Sequence, residues 1–152
     1  MPDERQPMSR SEMMGRIRSS DTKPEMVVRR GLHSHGFRFR LHRKDLAGKP
    51  DLVLVRHGVV IFVHGCFWHA HEGCSYFRLP KTRTEFWEDK LSKNVARDRK
   101  AVDELINSGW RVLIVWECAT RMISSQELMN DIVEWLRGNR VSGEISAMVT
   151  SA

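Results

Sequence analysis

Long apolar runs are missing from this 152-residue sequence, and no stretch approaches the ~20 apolar residues that a membrane-spanning helix needs. The first residues, "MPDERQPMSRSE", lack the apolar core of a signal peptide. The sequence has only three cysteines, an odd number that cannot form a complete set of disulfides. We therefore expect a cytoplasmic protein with no membrane association, whose cysteines bind a metal or are buried.

Acidic residues are the scarcer charged class. The 19 Asp and Glu residues are outnumbered by 25 Lys and Arg residues, which gives a formal net charge of +6. Such an excess attracts polyanions and would make nucleic-acid binding depend on salt. Many basic proteins bind no nucleic acid, so charge alone does not establish the function.

The chain divides into three predicted parts. Residues 1–21 are basic and poor in apolar residues, which predicts an arm that contacts DNA if the protein is a nuclease. Residues 22–138 carry the apolar periodicity of one folded domain, and residues 139–152 are predicted to form an irregular tail. The domain reads as helix, three strands, helix, strand and helix. This order predicts the α/β class, with a mixed β-sheet flanked by helices.

The individual elements have recognisable signals. "FRFRLH" alternates and predicts a strand, while "DLVLV" and "VVIFVH" are β-branched runs that predict a hairpin. The pairs Thr22 with Glu25 and Thr82 with Glu85 have the spacing of capping boxes, so each predicts the start of a helix. The second helix should run to about Ser108.

Soft metal ligands cluster after the strand "VVIFVH". Cys66, His69, His71 and Cys74 fall within nine residues, and Cys118 follows "WRVLIVWE". A helical crossover should place these two strands parallel, with their ends side by side. Structural zinc prefers four thiolate or imidazole ligands, so the three cysteines and one of the two histidines predict a zinc-braced loop. Spacing alone does not say which histidine, and buried cysteines in a solvated histidine-rich loop are the alternative.

Two carboxylates stand in unusual positions. Asp51 follows Pro50 at the start of a core strand. It is either a turn residue or, together with the carbonyl of Val63, a hard-oxygen site for magnesium. Asp98 lies on the apolar stripe of the helix predicted over 83–108, where a carboxylate needs a partner. Either the adjacent arginines of "ARDRK" supply that partner, or Asp98 orients a histidine that acts as a base.

Large rings also occur where no core periodicity requires them. Phe67 and Trp68 lie in the histidine-rich loop, and Trp87 lies in the first turn of the next helix. Such rings are often anchors packed on a sheet. Beside a basic surface they can instead stack on bases or enter an opened base step.

These features together resemble the very-short-patch repair (Vsr) mismatch endonucleases. The segments that carry the resemblance are "KPDLVLV", "VIFVHGCFWHAH", "KTRTEFWEDKLSKNVARDR" and "GWRVLIVWEC", within a similarity from about Met8 to Arg137. The resemblance implies a restriction-endonuclease-like fold. It also implies a magnesium-dependent enzyme that nicks duplex DNA 5′ to the T of a T:G mismatch left by deamination of 5-methylcytosine, which initiates very short patch repair. The implied partners are this mismatched DNA and other repair proteins. A nucleoid-associated monomer fits an asymmetric lesion that is cut on one strand.

The resemblance also implies roles for single residues in catalysis. Asp51 corresponds to the magnesium-binding aspartate, with the carbonyl of Val63 as the second protein ligand. His69 corresponds to the catalytic base, oriented by Asp98, and His64 assists at the phosphate.

Further roles follow from the same resemblance. Glu25 corresponds to an active-site glutamate that holds metal-bound water. The implied zinc ligands include His71 and leave His69 free: Cys66, His71, Cys74 and Cys118. The implied intercalating rings are Phe67, Trp68 and Trp87. Met14 and Ile17 correspond to arm residues that approach the DNA from the minor groove.

Two other functions fit part of the pattern. A restriction-type or broader-specificity mismatch nuclease could use the same scaffold, and nicking of T:G, other mismatches and paired DNA would separate them. A zinc-containing DNA-binding module without catalysis belongs to another class. The presence of four candidate catalytic side chains argues against it: Asp51, His64, His69 and Asp98.

Overall fold

The computed structural model describes residues 21–147. The predicted arm therefore lies outside the described residues apart from Asp21, and so do Met14 and Ile17. The described part contains the helices α1 (Lys23–Ser34), α2 (Thr84–Asn107), α3 (Glu117–Met122) and α4 (Ser125–Arg137), and the strands β1 (Arg40–Leu41), β2 (Leu52–Leu54), β3 (Val59–His64), β4 (Arg111–Trp116) and β5 (Ser142–Ile145). Within this part of the chain, none of the helices combines the length and the apolarity needed to cross a membrane.

The five strands form one mixed sheet in the order β1-β2-β3-β4-β5. The first three strands pair antiparallel, whereas β3 with β4 and β4 with β5 pair parallel. The predicted hairpin of β2 and β3 is confirmed. Its turn is a short 3-10 segment, Val55–His57, that ends at Gly58 with φ +63°, where a glycine avoids the strain of a side chain. The predicted parallel pairing of β3 and β4 is also confirmed.

Helices cover both faces of the sheet. Alternate strand residues point to opposite sides, and Ile61 and Leu113 join the cluster that includes Val28 of α1 and Leu128 of α4. On the other side, the strand residues pack with Leu105 of α2. Because both faces are covered, β3 and β4 read as continuous apolar runs rather than as alternating ones. The predicted α/β class with helices on a mixed sheet is confirmed.

The prediction of an irregular tail after residue 138 is wrong over residues 142–145. This segment forms β5, which pairs with β4 from Val112 opposite Ser142 to Val115 opposite Ile145. Its sequence "SGEI" has no apolar alternation and only half of it is partly buried. Its strand conformation therefore comes from the hydrogen bonds to β4, because the residues of this segment have no strand pattern that would predict it.

The strand predicted from "FRFRLH" is much shorter than expected. Only Arg40 and Leu41 pair with β2, which itself spans three residues. Phe37 and Phe39, which set the alternation, pack against the core cluster on the α1 side instead. The alternation of apolar and charged residues in this segment therefore reflects which side chains are buried and does not indicate strand pairing.

The two predicted capping boxes have different outcomes. Thr22 caps α1 as expected, because its Oγ1 accepts the Glu25 N–H at 3.3 Å. The Glu25 side chain, however, turns into the protein. The predicted cap at Thr82 is wrong: α2 begins at Thr84 after Arg83, whose φ is +56°, and no side chain caps it.

A side chain at Gly143 should destabilise the protein, because β5 passes against the indole of Trp135. A Cβ there would lie 2.3 Å from Trp135 Nε1, so the strand or the ring would have to shift. We expect Gly143→Ala to lower the free energy of unfolding by about 1–3 kcal/mol in urea titrations. Ser142→Ala, an exposed neighbour on β5, is the matched control and should change it by less than about 0.5 kcal/mol. Equal stability of the two variants would contradict the packing of β5 on α4.

Candidate active site

The carboxyl ends of β3 and β4 bring distant parts of the sequence together. His64 pairs in register with Trp116, so the loop after β3 and the start of α3 lie side by side. The backbone N–H of Cys118 donates to Cys66 Sγ at 3.3 Å across 52 positions of sequence. Cys66 and Cys118 therefore lie together at one edge of the sheet, as predicted.

Four buried side chains form a metal-type cluster at this edge. The ligand atoms of Cys66, His71, Cys74 and Cys118 all lie within 4.8 Å of one another. His71 Nδ1 is 3.5 Å from Cys66 Sγ and 3.7 Å from Cys118 Sγ. Around a tetrahedral zinc ion, with Zn–S near 2.3 Å and Zn–N near 2.0 Å, sulfur and nitrogen ligands lie roughly 3.5 Å apart. The donor set and its spacing fit zinc, and the histidine in the cluster is His71 rather than His69.

Burial and ring packing set the state and the orientation of these ligands. Burial raises the pKa of the Cys66 and Cys118 thiols, because a thiolate there has lost its hydration. The ring of His71 stacks on Trp116 with centroids 3.9 Å apart and planes within 5°. The Trp116 indole N–H in turn donates to Glu144 of β5 at 2.8 Å. The orientation of His71 is thus set by packing against β4 and, through Glu144, by β5.

A second group contains His64, His69 and Asp98. His69 Nδ1 lies 2.6 Å from Asp98 Oδ2. An ionised carboxylate can only accept, so Nδ1 carries the hydrogen, and in the neutral tautomer this leaves the lone pair on Nε2. His64 stacks on His69 with ring centroids 3.7 Å apart and planes within 3°. Burial lowers the pKa of His64 well below its usual value, so that ring is neutral at neutral pH.

Asp51 forms the acidic part of the site. Its Oδ2 accepts the backbone N–H of Val63 at 2.7 Å, which fixes the carboxyl group against β3. Burial, with a smaller contribution from the neighbouring Glu25, raises the pKa of Asp51 to about 7. Two carboxyl groups this close repel each other when both are ionised, and a divalent cation relieves that repulsion. These hard oxygen donors fit magnesium.

Part of the site lines a groove of about 1260 Å³, and Asp51 is connected to that groove through its hydrogen bond to Val63. Val63, His69 and Asp98 line it, together with Glu25 and Trp68. Basic side chains surround this acidic centre and would attract the phosphates of a nucleic acid. They are Lys23, Lys44, Lys49, Arg78, Arg97 and Arg121.

The three predicted intercalating rings form one cluster beside the groove. The ring centroids of Phe67, Trp68 and Trp87 are 5.3–5.5 Å apart in edge-on or strongly inclined contacts. Phe67 and Trp87 are 4% and 3% exposed and pack with Leu91, whereas Trp68 is half-buried. Phe67 and Trp68 both line the groove. Entry of Phe67 or Trp87 into DNA would therefore require this cluster to open.

Sequence reasoning missed several polar residues that hold the loop. The Asn94 amide donates to the Trp68 carbonyl at 3.1 Å. Glu117 accepts the Cys66 N–H at 3.2 Å and pairs with Arg121 at 2.9 Å. The position of Glu117, directly before a candidate metal ligand, was an available signal, whereas nothing in the local pattern marks Asn94.

Comparisons with known proteins identify the family of the chain. Residues 2–75 match the family model described as DNA mismatch endonuclease Vsr. The DNA mismatch endonuclease Vsr of Escherichia coli K12 is 43% identical over 148 residues, which cover 95% of this chain and 94% of that protein. The chain belongs to the Vsr family of DNA mismatch endonucleases. Two further Vsr-like relatives are the type II nicking enzymes V.XorIIP of Xanthomonas oryzae pv. oryzae and V.NmeAIP of Neisseria meningitidis serogroup A. They are 50% and 43% identical over 78% and 92% of this chain, and over 86% and 94% of their own lengths.

Membership of the Vsr family confirms the predicted class of enzyme. The protein is a DNA mismatch endonuclease, a hydrolase that acts on DNA. The predicted restriction-endonuclease-like fold is confirmed with it. A DNA-binding module without catalysis is no longer a competing interpretation.

Loss of one soft ligand should empty the cluster of this Vsr-family protein. We expect Cys74→Ser to lose the metal ion that the four ligands would bind. We also expect its free energy of unfolding to fall by roughly 3 kcal/mol, or its Tm by about 10 °C, because the ion would hold the loop after β3 to the start of α3. Metal analysis and thermal unfolding measure the two effects. Ser75→Ala, at an exposed neighbouring position, should retain both metal and Tm. Full metal content in Cys74→Ser would show that the cluster does not bind the ion.

Proposed function

We propose that the protein nicks duplex DNA 5′ to the T of a T:G mismatch that arises from 5-methylcytosine deamination, and so initiates very short patch repair. The observation that carries the proposal is the His69–Asp98 pair, which lines one basic groove together with Val63, whose backbone N–H binds the Asp51 carboxyl group. The preference for T:G rests on the resemblance in the four segments quoted above. The name of the Escherichia coli relative, a DNA mismatch endonuclease, supports it.

His69 is the base of the proposed reaction. Its Nε2 takes a proton from the water that attacks the scissile phosphorus in line, while Asp98 holds the Nδ1–H and stabilises the imidazolium that forms. The phosphorus–oxygen bond opposite the attacking water breaks, and the leaving oxygen takes a proton from solvent. His64 is neutral and stacked beneath this ring, so it donates a hydrogen bond to a phosphate oxygen without competing for the proton.

Two metal ions complete the proposal. Asp51 and the Val63 carbonyl would hold magnesium, which supplies Lewis-acid polarisation of the scissile phosphate. Glu25, which is 2% exposed at the bottom of the groove, orients water on the same side. The four ligands that would hold zinc brace the loop and do no chemistry: Cys66, His71, Cys74 and Cys118.

Recognition of the mismatch depends on how easily the DNA opens. Insertion of a ring costs a few kcal/mol of unstacking per base step, and least where a wobble pair has already weakened the stack. Trp68 is the more exposed of the two rings that line the groove in the structure without DNA, so it is the first ring to contact the bases. Phe67 and Trp87 follow as the cluster opens, and Met14 and Ile17 enter from the minor groove.

Assembly and location follow from the same proposal. We expect a monomer, because the lesion is asymmetric and one strand is cut. We also expect the protein to associate with the nucleoid in the cytoplasm and to meet other repair proteins there.

His69→Ala should keep mismatch binding and lose nicking. We expect the single-turnover nicking rate of a T:G duplex with Mg²⁺ to fall about 10²–10⁴-fold, because the substitution removes the group that takes the proton in the proposed reaction. His33→Ala, which removes an exposed histidine of α1, is the control and should nick normally. A wild-type rate in His69→Ala would exclude this residue from the mechanism.

Trp68→Ala should reduce the preference for T:G over other mismatches and paired DNA. Stacking of one base on a ring is worth about 1–3 kcal/mol, so the ratio of nicking rates on this panel should fall by roughly ten-fold or more. Phe86→Ala removes a ring that is 43% exposed and outside the groove lining, and it should keep the wild-type ratio. If Trp68→Ala also keeps it, the ring only packs the loop. Equal wild-type rates across the panel would favour the broader-specificity nuclease.

A further inference from the structure

His42, outside the predicted site, binds the buried carboxylate of Glu25. His42 Nε2 lies 3.0 and 2.9 Å from Glu25 Oε1 and Oε2. Because an ionised carboxylate can only accept, Nε2 carries the hydrogen and donates it to this pair of oxygens. Arg29 contacts the same group from the next turn of α1 at 3.3 Å. Glu25 is therefore held from two sides, and its closer contact comes from a residue 17 positions away in the chain.

The backbone of His42 contacts the other acidic residue of the site. The His42 N–H donates to the Asp51 carbonyl at 3.0 Å, directly after the pairing of Leu41 with Leu52. His42 has φ +47°, a left-handed conformation that residues other than glycine rarely adopt. The backbone bond on one side and the imidazole bond on the other hold it in that conformation. One residue thus joins Glu25 to Asp51.

These contacts also fix the direction of the Glu25 carboxylate, which is buried. Two carboxyl groups held near each other repel when both are ionised. The His42 Nε2–H offsets part of that repulsion at Glu25, and Arg29 adds a longer contact to the same group. Without the imidazole only the Arg29 contact would remain, and we expect the Glu25 side chain to turn away from Asp51.

We propose that His42 is a positioning residue whose Nε2–H holds the Glu25 carboxylate beside Asp51, so that both carboxylates face a divalent cation and its water together. The inference rests on the proposed function, which places Asp51 and Glu25 in the reaction. A purely structural ion pair between α1 and the loop after β1 would change stability but would not change catalysis or cation binding selectively.

Two substitutions of His42 separate these roles. His42→Ala should slow single-turnover nicking of a saturating T:G duplex about 10–100-fold. Its Kd for the same duplex, measured by fluorescence anisotropy without divalent cation, should remain near that of the wild type. His42→Gln retains a donor for the carboxylate and should recover most of the rate, and His33→Ala should behave as wild type. Equal losses of rate in the Ala and Gln variants, matched by equal losses of Tm or of DNA binding, would overturn the inference.

A readout independent of turnover is cation binding. Isothermal titration calorimetry with Mg²⁺, on the complex with a duplex made uncleavable at the scissile phosphate, should show a Kd about 10-fold weaker for His42→Ala than for the wild type. The Gln variant should bind Mg²⁺ almost as tightly as the wild type. Unchanged Mg²⁺ affinity in His42→Ala would contradict the proposed role.

Double substitution tests whether His42 acts through Glu25. If it does, the Glu25→Gln/His42→Ala variant should nick no more slowly than Glu25→Gln alone, whereas multiplied losses would overturn the inference. Asp51→Asn tests the proposed function by itself. Normal nicking by Asp51→Asn would refute the proposed site and this inference with it. An inactive Asp51→Asn together with a fully active His42→Ala would refute only the role of His42.

Discussion

The parallel register of β3 against β4 determines where the four soft ligands lie. Parallel strands end at the same edge of a sheet, and here His64 lies opposite Trp116. The chain that leaves β3 and the chain that leaves β4 therefore start as neighbours, which brings Cys66 to Cys118. From the same edge, Trp116 supports the ring of His71, and His64 supports the ring of His69. A different register would move the chain after β3 away from the chain after β4. It would therefore separate Cys66 from Cys118 and the ring of His71 from Trp116.

The loop after β3 serves two centres whose residues are interleaved in the sequence. His69 and His71 are separated by Ala70, whose φ of +49° turns the chain between them. One imidazole consequently meets Asp98 of α2, and the other joins the cysteines. The loop forms hydrogen bonds mainly within itself, such as the one from the His71 N–H to the Cys66 carbonyl at 2.9 Å. A loop held mainly by its own hydrogen bonds gains stability from a cross-link, and a metal ion bound by the four soft donors would supply one.

Electrostatics divides the groove into an acidic centre and a basic border. The side chains of Glu25 and Asp98 at the centre each pair with an imidazole, and Asp51 accepts a backbone N–H. The imidazoles hold the two carboxylates in fixed directions, and the Arg29 guanidinium adds a longer contact to Glu25. Other lysines and arginines line the groove, where phosphates of the backbone would bind. The aromatic cluster beside them is largely closed without DNA, so access of its rings to bases depends on a local opening.

The sequence by itself determined the hairpin of β2 and β3, the long helix α2, and the set of soft ligands, because apolar periodicity and residue chemistry are local properties. It also marked Asp98, since a carboxylate on an apolar stripe requires a partner. Only the tertiary structure decided that β5 exists, because "SGEI" becomes a strand through hydrogen bonds that β4 supplies. The same holds for the link from His42 to Glu25 and for the separation of His71 from His69, which spacing left open. Those arrangements depend on a backbone turn and on partners 17 to 52 residues away, and no local pattern encodes such partners.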